Sequence, residues 1–262
     1  MQTTYDAIYL APHLDDVALS CGAHIFQRTA AGERILIVTV MAGSPPAGEG
    51  AAQSAYIDSL HARWELAGDA AAERRAEDAA ACAILRAGYL HLEVPDCIYR
   101  GDSRSGAPFY TSDDDIFGDI HPAEQQLVEE IAASFRALPA AGQVVAPLGV
   151  GHHVDHLLVR AAAEAAWPAG LAYYEDYPYA AKLGYLRRVL GDDLRAWRPD
   201  VQEITPPGLG AKFDAVWAYR SQMSTFFDSR KEMEMQVGGY IELVGGERLW
   251  IRIKEQGQDL QD

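Results

Sequence analysis

The feature that most constrains the fold is the alternation of short apolar runs with helix-length stretches along most of the chain. The apolar runs predict strands over residues 7–10, 34–40, 89–92, 143–146 and 171–174. The stretches between them predict helices over residues 16–31, 54–66, 71–87, 125–137 and 154–166. This rhythm predicts an α/β fold with a mostly parallel sheet, flanked by helices and joined by right-handed crossovers.

The last part of the chain is less regular and predicts a smaller, irregular C-terminal part. A helix is expected over residues 209–227 and a strand over residues 248–253. The total of 262 residues suits one domain, so we expect a single domain over residues 1–253 and a mobile polar tail over residues 254–262. Two long loops, residues 42–53 and 95–120, either shape a binding site or are surface insertions.

The charge and cysteine content limit the partners. A formal net charge of −16 argues against a nucleic acid or an anionic membrane, because either normally requires a concentrated basic face. No apolar run approaches the roughly 20 residues that span a bilayer, and the first residues lack a signal-peptide pattern, so a cytoplasmic protein is expected. The three cysteines, Cys21, Cys82 and Cys97, show no paired spacing. Any metal is therefore expected to be held by histidine and carboxylate side chains.

A histidine and two acids follow the first predicted strand, where the chain turns into a helix. His13, Asp15 and Asp16 lie close together at the carboxyl end of that strand, the edge at which open α/β sheets bind ligands. The positive end of the helix dipole favours ionised carboxylates at this position. The alternative is that Asp15 or Asp16 only caps the helix, which is the usual role of an isolated aspartate there.

A second polar cluster follows the strand predicted over residues 143–146. It holds three of the chain's eight histidines and one aspartate, namely His152, His153, Asp155 and His156. The alternative interpretation is a solvated polar turn. If the two strands are neighbours, as doubly wound sheets allow, His13, Asp16 and His156 can supply three ligands to one divalent ion and leave positions open for water and substrate. Such a set suits Zn2+ first and also tolerates Fe2+, Mn2+ or Co2+.

These clusters resemble the two motifs of the PIG-L/LmbE-like N-acetylglucosaminyl deacetylase family. The run His13-Leu14-Asp15-Asp16 resembles the A-H-P-D-D-E signature, and His153-Val154-Asp155-His156 resembles the H-x-D-H motif. Arg74-Arg75-Ala76-Glu77 resembles an R-x-x-E stretch on a helix of the family. Leu14 replaces the usual proline and Val17 the usual glutamate, but neither change removes a metal ligand. The resemblance implies a Rossmann-like three-layer sandwich that uses one divalent metal ion, usually zinc.

The resemblance also implies roles for the matching residues. The metal ligands would be His13, Asp16 and His156. Asp15 would act as the general base, because it is not used as a ligand. His153 would stabilise or protonate the reacting centre.

Other residues are expected to support these groups. Asp155 is expected to orient the ring of His153 and to favour its protonated form, because it lies two residues away in the sequence. Arg74 and Asp96 resemble positions that contact the sugar or its anionic appendage, and Arg75 can replace Arg74 in that role.

The predicted function is that of a zinc-dependent hydrolase of linear amides, an N-deacetylase that removes an acetyl or other acyl group from an amino sugar or its conjugate. One alternative is an amidase that cleaves a larger thiol or antibiotic conjugate, and a more distant one is a non-catalytic sugar- or metal-binding module. A dinucleotide-dependent oxidoreductase is disfavoured because the first strand–helix turn has no G-x-G-x-x-G sequence. The expected partner is a small N-acylated amino sugar or conjugate, and the sequence leaves homo-oligomerisation open.

Two further segments have open roles. Residues 173–179 carry four tyrosines and two acids after the fifth predicted strand. They either contact a sugar or complete the core while the acids face water. Tyr99 and Arg100, in the long loop, either contact an anionic substrate or lie on the surface.

Overall fold

Seven strands form one sheet among the residues that the structure describes. The first five run parallel, and the seventh is antiparallel to both of its neighbours, the fifth and the sixth. The computed structural model describes residues 4–46, 54–64 and 70–253. The strands are β1 (Tyr5–Ala11), β2 (Ile35–Thr39), β3 (Gly88–His91), β4 (Ala141–Pro147), β5 (Leu171–Tyr174), β6 (Trp197–Gln202) and β7 (Glu247–Arg252). Their order across the sheet is β3-β2-β1-β4-β5-β7-β6.

Helices flank the sheet on both faces. They are α1 (Asp16–Ala30), α2 (Ala55–Trp64), α3 (Ala70–Ile84), α4 (Asp113–Ile116), α5 (Gln125–Arg136), α6 (Val154–Ala166), α7 (Tyr185–Leu190), α8 (Pro206–Ala218), α9 (Arg220–Phe226) and α10 (Arg230–Val244). No helix in the described ranges is both long enough and apolar enough to cross a bilayer.

The central strand β1 separates two hydrophobic cores. Successive side chains of a strand point to opposite faces, so Ala7 and Tyr9 lie in one core while Ile8 and Leu10 lie in the other. The first core is completed by α1, α3 and α8, and the second by α5 and α6. The result is a three-layer α/β sandwich, which confirms the predicted fold class.

The order of the sheet reverses between β1 and β4. From β1 the chain proceeds outward through β2 and β3, whereas β4 lies on the opposite side of β1 and is followed by β5. Tyr9 of β1 is paired with Ile37 of β2 on one side and with Val145 of β4 on the other. The loops that follow β1 and β4 therefore leave the same edge of the sheet at the switch point, where open α/β sheets bind ligands. The expectation that these strands are neighbours is confirmed.

The C-terminal part departs from the sequence prediction in detail. The helix expected over residues 209–227 is two helices, α8 and α9, which are separated at Tyr219. Strand β6 and helices α7 and α10 were not predicted. The single domain over residues 1–253 stays a prediction, and the expected mobile tail, 254–262, lies outside the described residues.

Candidate active site

Two loops at the switch point bring the predicted ligands together. His13 lies in the short turn between β1 and α1, Asp16 is the first residue of α1, and His156 lies in the first turn of α6. One donor atom from each of these three residues lies within 4.8 Å of the others. Asp16 Oδ2 is 3.3 Å from His13 Nδ1 and 3.4 Å from His156 Nε2. Two distant segments of the chain thus converge on one point.

The other nitrogen of each ligand ring is bonded to a buried carboxylate. His13 donates its Nε2–H to Asp155 Oδ2 at 3.0 Å, and His156 donates its Nδ1–H to Asp176 Oδ1 at 2.7 Å. Asp176 is itself held by the backbone N–H of Val150 at 2.8 Å. Such carboxylate–histidine pairs fix the tautomer of a ring and leave its other nitrogen unprotonated for a metal ion.

The donor set fits a divalent cation. Two imidazoles and one carboxylate, with room for exchangeable ligands, match catalytic zinc sites, and the same set accepts Fe2+, Mn2+ or Co2+. Although burial alone lowers the pKa of His13, its hydrogen bonds to Asp155 and Asp16 raise that pKa well above the ordinary value. The centre therefore favours positive charge, which a divalent ion would supply.

Two other groups of possible metal donors occur among the described residues, and one of them shares His13 with this set. They combine His13 with His153 and Asp155, and Asp96 with Cys97 and Asp155. Both use Asp155, whose carboxylate is already bonded to the guanidinium of Arg100 at 2.6 Å. A cation beside Arg100 is repelled, so the set built on Asp16 is the better metal site.

Asp15 is buried beside the predicted ligands, and its side chain does not cap helix α1. It is 5% exposed, and its side chain makes no capping hydrogen bond at the start of α1. Burial, and then the neighbouring charge of Asp16, raise the pKa of Asp15 to about 6, against the opposing charge of Arg74. The interpretation that Asp15 only caps the helix is wrong, and its carboxylate lines the cavity beside the ligands.

His153 lies beside the predicted ligands, but the protonation of its ring differs from the one expected from the sequence. The backbone N–H of Asp155 donates to His153 Nδ1 at 3.2 Å, which leaves the proton of the neutral ring on Nε2. Burial, and then the charge of His13, lower the pKa of His153 to about 3. The expected protonated ring is therefore corrected to a neutral ring. The carboxylate of Asp155 holds His13 and Arg100 instead of orienting His153.

Arg100 is a buried part of the site's framework. It is 7% exposed, and it bonds Asp155 and also Glu124, which accepts a further hydrogen bond from Tyr110. Both expectations for Arg100, a substrate contact and a surface position, are therefore wrong. A buried guanidinium normally needs such carboxylate partners, and here they come from distant segments.

The remaining residues that were predicted to contact the substrate are Arg74, Asp96 and, as an alternative to Arg74, Arg75. Arg74 and Asp96 line the cavity, and Asp96 Oδ2 lies 3.6 Å from His13 Nε2, close to the ligands. Arg75 instead donates to the backbone oxygen of Ala42 at 2.8 Å, so it does not replace Arg74.

The segment 173–179 contributes both site and scaffold residues. Tyr177 and Tyr179 line the cavity, and Asp176 holds His156. Glu175 is turned away and bonds Tyr240 and Arg248. Sequence reasoning missed the role of Asp176, for which the only signal was a carboxylate at the carboxyl end of a parallel strand.

The cavity that contains these groups has a volume of about 500 Å³. Four aspartates line it, among them Asp15 and Asp113, together with the aromatic rings of Tyr56, Phe117 and Phe226. A negatively charged cavity with aromatic walls suits a hydroxylated or amine-bearing ring close to a bound cation.

Comparisons with known proteins find deacetylases among the similar chains. A 2'-N-acetylparomamine deacetylase of Niallia circulans is 28% identical over 259 residues, which cover 94% of this chain and 90% of that protein. A protein of the same name from Streptomyces fradiae is 31% identical over 182 residues, 67% of this chain and 58% of its own. The crystal structure of the zinc-inhibited form of a teicoplanin deacetylase has a TM-score of 0.76 at 28% identity, covering 98% of this chain and 100% of that one.

The family is shown by a sequence profile, described as PIG-L, GlcNAc-PI de-N-acetylase, which matches residues 8–167. The matched segment contains both clusters, from His13 at the end of β1 to His156 at the start of α6. The resemblance drawn from the motifs is thereby confirmed, and the chain belongs to the PIG-L family of deacetylases.

Proposed function

We propose that the protein is a metal-dependent N-deacetylase that hydrolyses the acyl amide of an amino sugar or of its conjugate. The observation that carries the proposal is the convergence of His13, Asp16 and His156 on one point, with Asp15 beside them and not used as a ligand. Relatives described as deacetylases of N-acetylparomamine and of teicoplanin support an amino-sugar substrate.

The ion would be held by His13, Asp16 and His156, and zinc suits this set best, with Fe2+, Mn2+ and Co2+ as alternatives. When bound, a divalent ion supplies Lewis-acid activation of the amide carbonyl and of water. Asp155 and Asp176 keep the two ligand rings oriented through their second nitrogens.

The remaining chemistry belongs to the side chains around the ligands. A carboxylate oxygen of Asp15 accepts the proton that the attacking water loses, and the same carboxyl group can return it to the leaving amine. His153 donates its Nε2–H to the oxyanion that develops on the former carbonyl oxygen. Asp96 and Arg74, which line the cavity, are positioned to bond the hydroxyl groups or the appendage of the sugar.

A second candidate is an amidase for a larger conjugate. It is favoured by a second cavity of about 570 Å³, which shares Phe117, Tyr179 and Lys182 with the catalytic one. A non-catalytic binding module is disfavoured, because Asp15 and His153 are both buried at the centre without being needed for the preferred ligand set.

The test is release of a primary amine from N-acetylglucosamine derivatives and N-acetylated aminoglycosides by metal-depleted and zinc-loaded protein. We expect turnover only after loading. Asp15→Asn should retain zinc, measured by metal analysis, yet lose turnover by about 10²–10⁴-fold, the usual contribution of a general base. Asp192→Asn, at a fully exposed side chain, is the matched control and should behave as the parent protein. The absence of amine release from every acylated amino sugar, or near-normal turnover by Asp15→Asn, would overturn the proposal.

A further inference from the structure

A second cavity adjoins the catalytic one. It has a volume of about 570 Å³, and Phe117, Tyr179 and Lys182 line both spaces. An acetyl group has two carbon atoms, so the reacting amide alone leaves this second space unfilled. Because Tyr179 lines both spaces, a substrate that extends beyond the amide and its sugar ring would contact Tyr179 before entering the second space.

The charge of the second cavity is opposite to that of the protein. The whole chain carries 38 acidic against 22 basic side chains. Yet Arg160, Lys182 and Arg188 line this cavity together with His152, and none of its lining residues in the described ranges is an aspartate or glutamate. The catalytic cavity next to it is lined by four aspartates. The two spaces therefore differ in the charge of the group that each attracts.

Two of the three cations are available to a ligand. Arg160 is committed, because it donates to the backbone oxygen of Leu148 at 2.7 Å and to Glu164 at 3.0 Å. Lys182 and Arg188 are exposed and form no carboxylate pair within the part of the chain that the structure describes. Their charged groups lie over tyrosine rings instead.

The tyrosine rings give the cavity a defined wall. Lys182 Nζ is 5.6 Å from the ring centres of both Tyr179 and Tyr185, and the guanidinium of Arg188 is 5.2 Å from that of Tyr185. Gly151 packs against Tyr179 so closely that an added Cβ would lie 2.5 Å from the ring, and its φ of +97° favours glycine. The loop that leads to His153 therefore also fixes the residue at the junction of the two cavities.

We propose that the second cavity is a subsite for an anionic substituent of the substrate, a carboxylate or a phosphate carried beyond the reacting amide. Lys182 and Arg188 attract the anion, and Tyr179 and Tyr185 contact the ring or chain that carries it. The inference rests on the proposed function, because it assigns this space to the substrate of the same centre.

The test compares substrates that differ only in a carboxylate. One pair is phenyl and 4-carboxyphenyl N-acetyl-β-glucosaminide, which places the charge on the aglycone. The other is N-butanoyl- and N-succinyl-glucosamine, which places it on the acyl group. In at least one pair we expect kcat/KM to favour the anion by about three- to tenfold at low salt, mainly through KM, and the preference to shrink as salt is added. No preference in either pair overturns the subsite.

Variants identify the residues that are responsible. Arg188→Gln and Lys182→Gln should each reduce the ratio of kcat/KM between the anionic and the neutral member of the preferred pair. Arg187→Gln is the matched control, because Arg187 is adjacent and exposed, lies 3.6 Å from Asp192 and does not line the cavity. A ratio that both cavity variants leave unchanged contradicts the assignment.

Binding to metal-depleted protein separates this inference from the proposed function. Calorimetric titration with the two phenyl glycosides and the two acylated glucosamines measures the subsite without turnover. Tighter binding of an anionic member, lost in Arg188→Gln, supports the subsite even if the loaded protein releases no amine. Turnover of neutral substrates, with equal binding of anionic and neutral members in both pairs, supports the deacetylase and overturns the subsite.

Discussion

The turn after β1, in the parallel part of the sheet (β1 to β5), and the C-terminal part (β6 and β7 with α8 to α10) use buried charges in opposite ways. At the carboxyl end of β1, Asp15 and Asp16 are buried side by side, and burial and then the charge of Asp16 raise the pKa of Asp15 to about 6. In the C-terminal part, Glu247 is matched by Lys212 at 2.6 Å and by the backbone N–H groups of Ala23 and His24. One region concentrates charge for a ligand, and the other neutralises it.

This difference indicates which residues serve binding and catalysis and which serve the stability of the fold. An ionised Asp15 costs stability, because burial and the charge of Asp16 raise its pKa. A group of this kind is typical of a site at which a cation or a reacting group uses the charge. Matched charge in the C-terminal part holds α1, the helix that begins at Asp16, against β7. Substitutions in the turn after β1 should therefore have their largest effect on binding and catalysis, and substitutions in the C-terminal part should mainly affect folding.

The largest effect is expected for Asp16→Asn. The amide keeps the shape and can still accept from the backbone N–H of His13, but it removes the one anionic ligand of the set. Zinc affinity should fall by more than about 100-fold, because removing even a residue that only hydrogen-bonds a ligand lowers metal affinity by up to about 100-fold. Turnover should be lost as well. Although burial raises the pKa of Asp16, the charges of His156 and His13 lower it to about 2, so the ionised carboxylate stabilises the metal-free fold. The urea midpoint of the metal-depleted variant should therefore fall. Zinc affinity or turnover close to that of the parent protein would contradict the assignment of Asp16 as the anionic ligand.

The converse change is Glu247→Ala in the C-terminal part. It leaves Lys212 buried without its partner and should cost about 3–5 kcal/mol in the free energy of unfolding, measured with urea. Below the unfolding transition, kcat/KM should match that of the parent protein. Glu242→Ala, at an exposed position of α10, is the control and should stay within about 0.5 kcal/mol. A large fall in kcat with little loss of stability would break the proposed division.

Asp176→Asn tests the boundary between the regions, since Asp176 follows β5 and contacts the outer nitrogen of the His156 ring. It should lower zinc affinity by about 10–100-fold through the orientation and basicity of His156. Asp200→Asn on β6 serves as a control away from the site. An unchanged zinc affinity in Asp176→Asn would show that the tautomer of His156 is fixed in another way.

The sequence predicted the parallel part well because its strands are short apolar runs and its ligands lie at their ends. The C-terminal part was predicted less well for physical reasons. Strand β6 contains Pro199 and charged residues, which an edge strand tolerates but which obscure the pattern. Helix α10 carries two adjacent glycines, and α8 ends at Tyr219 without glycine or proline as a signal.

The candidate site, too, could be predicted from the sequence only in part. His13, Asp16 and His156 could be assigned because each lies beside a predicted strand end. The partners Asp155–Arg100 and His156–Asp176 join segments 55 and 20 residues apart, and only the folded chain brings them together. Orientation of a ring by a distant carboxylate leaves no local pattern in the sequence.

The smallest effect is expected from His24, at the place where the C-terminal part holds α1. Burial, and then the charge of Arg28, lower the pKa of His24 from 6.5 to about 4. The folded protein thus binds this proton less readily than the unfolded chain. The contribution of neutral His24 to stability is complete above about pH 6.5 and is lost as the pH falls through about 4. Because His24 is partly exposed, we expect a loss of about 1–2 kcal/mol between pH 7.5 and 4.5.

His24→Gln should remove this share of the pH dependence, which is measured as the difference in urea midpoints between the two pH values. Comparison with the parent protein cancels the contribution of the acidic centre, which is the same in both. If the variant loses as much stability on acidification as the parent, then His24 does not titrate on unfolding. The pH sensitivity of the fold would in that case arise from the crowded carboxylates of the parallel part alone.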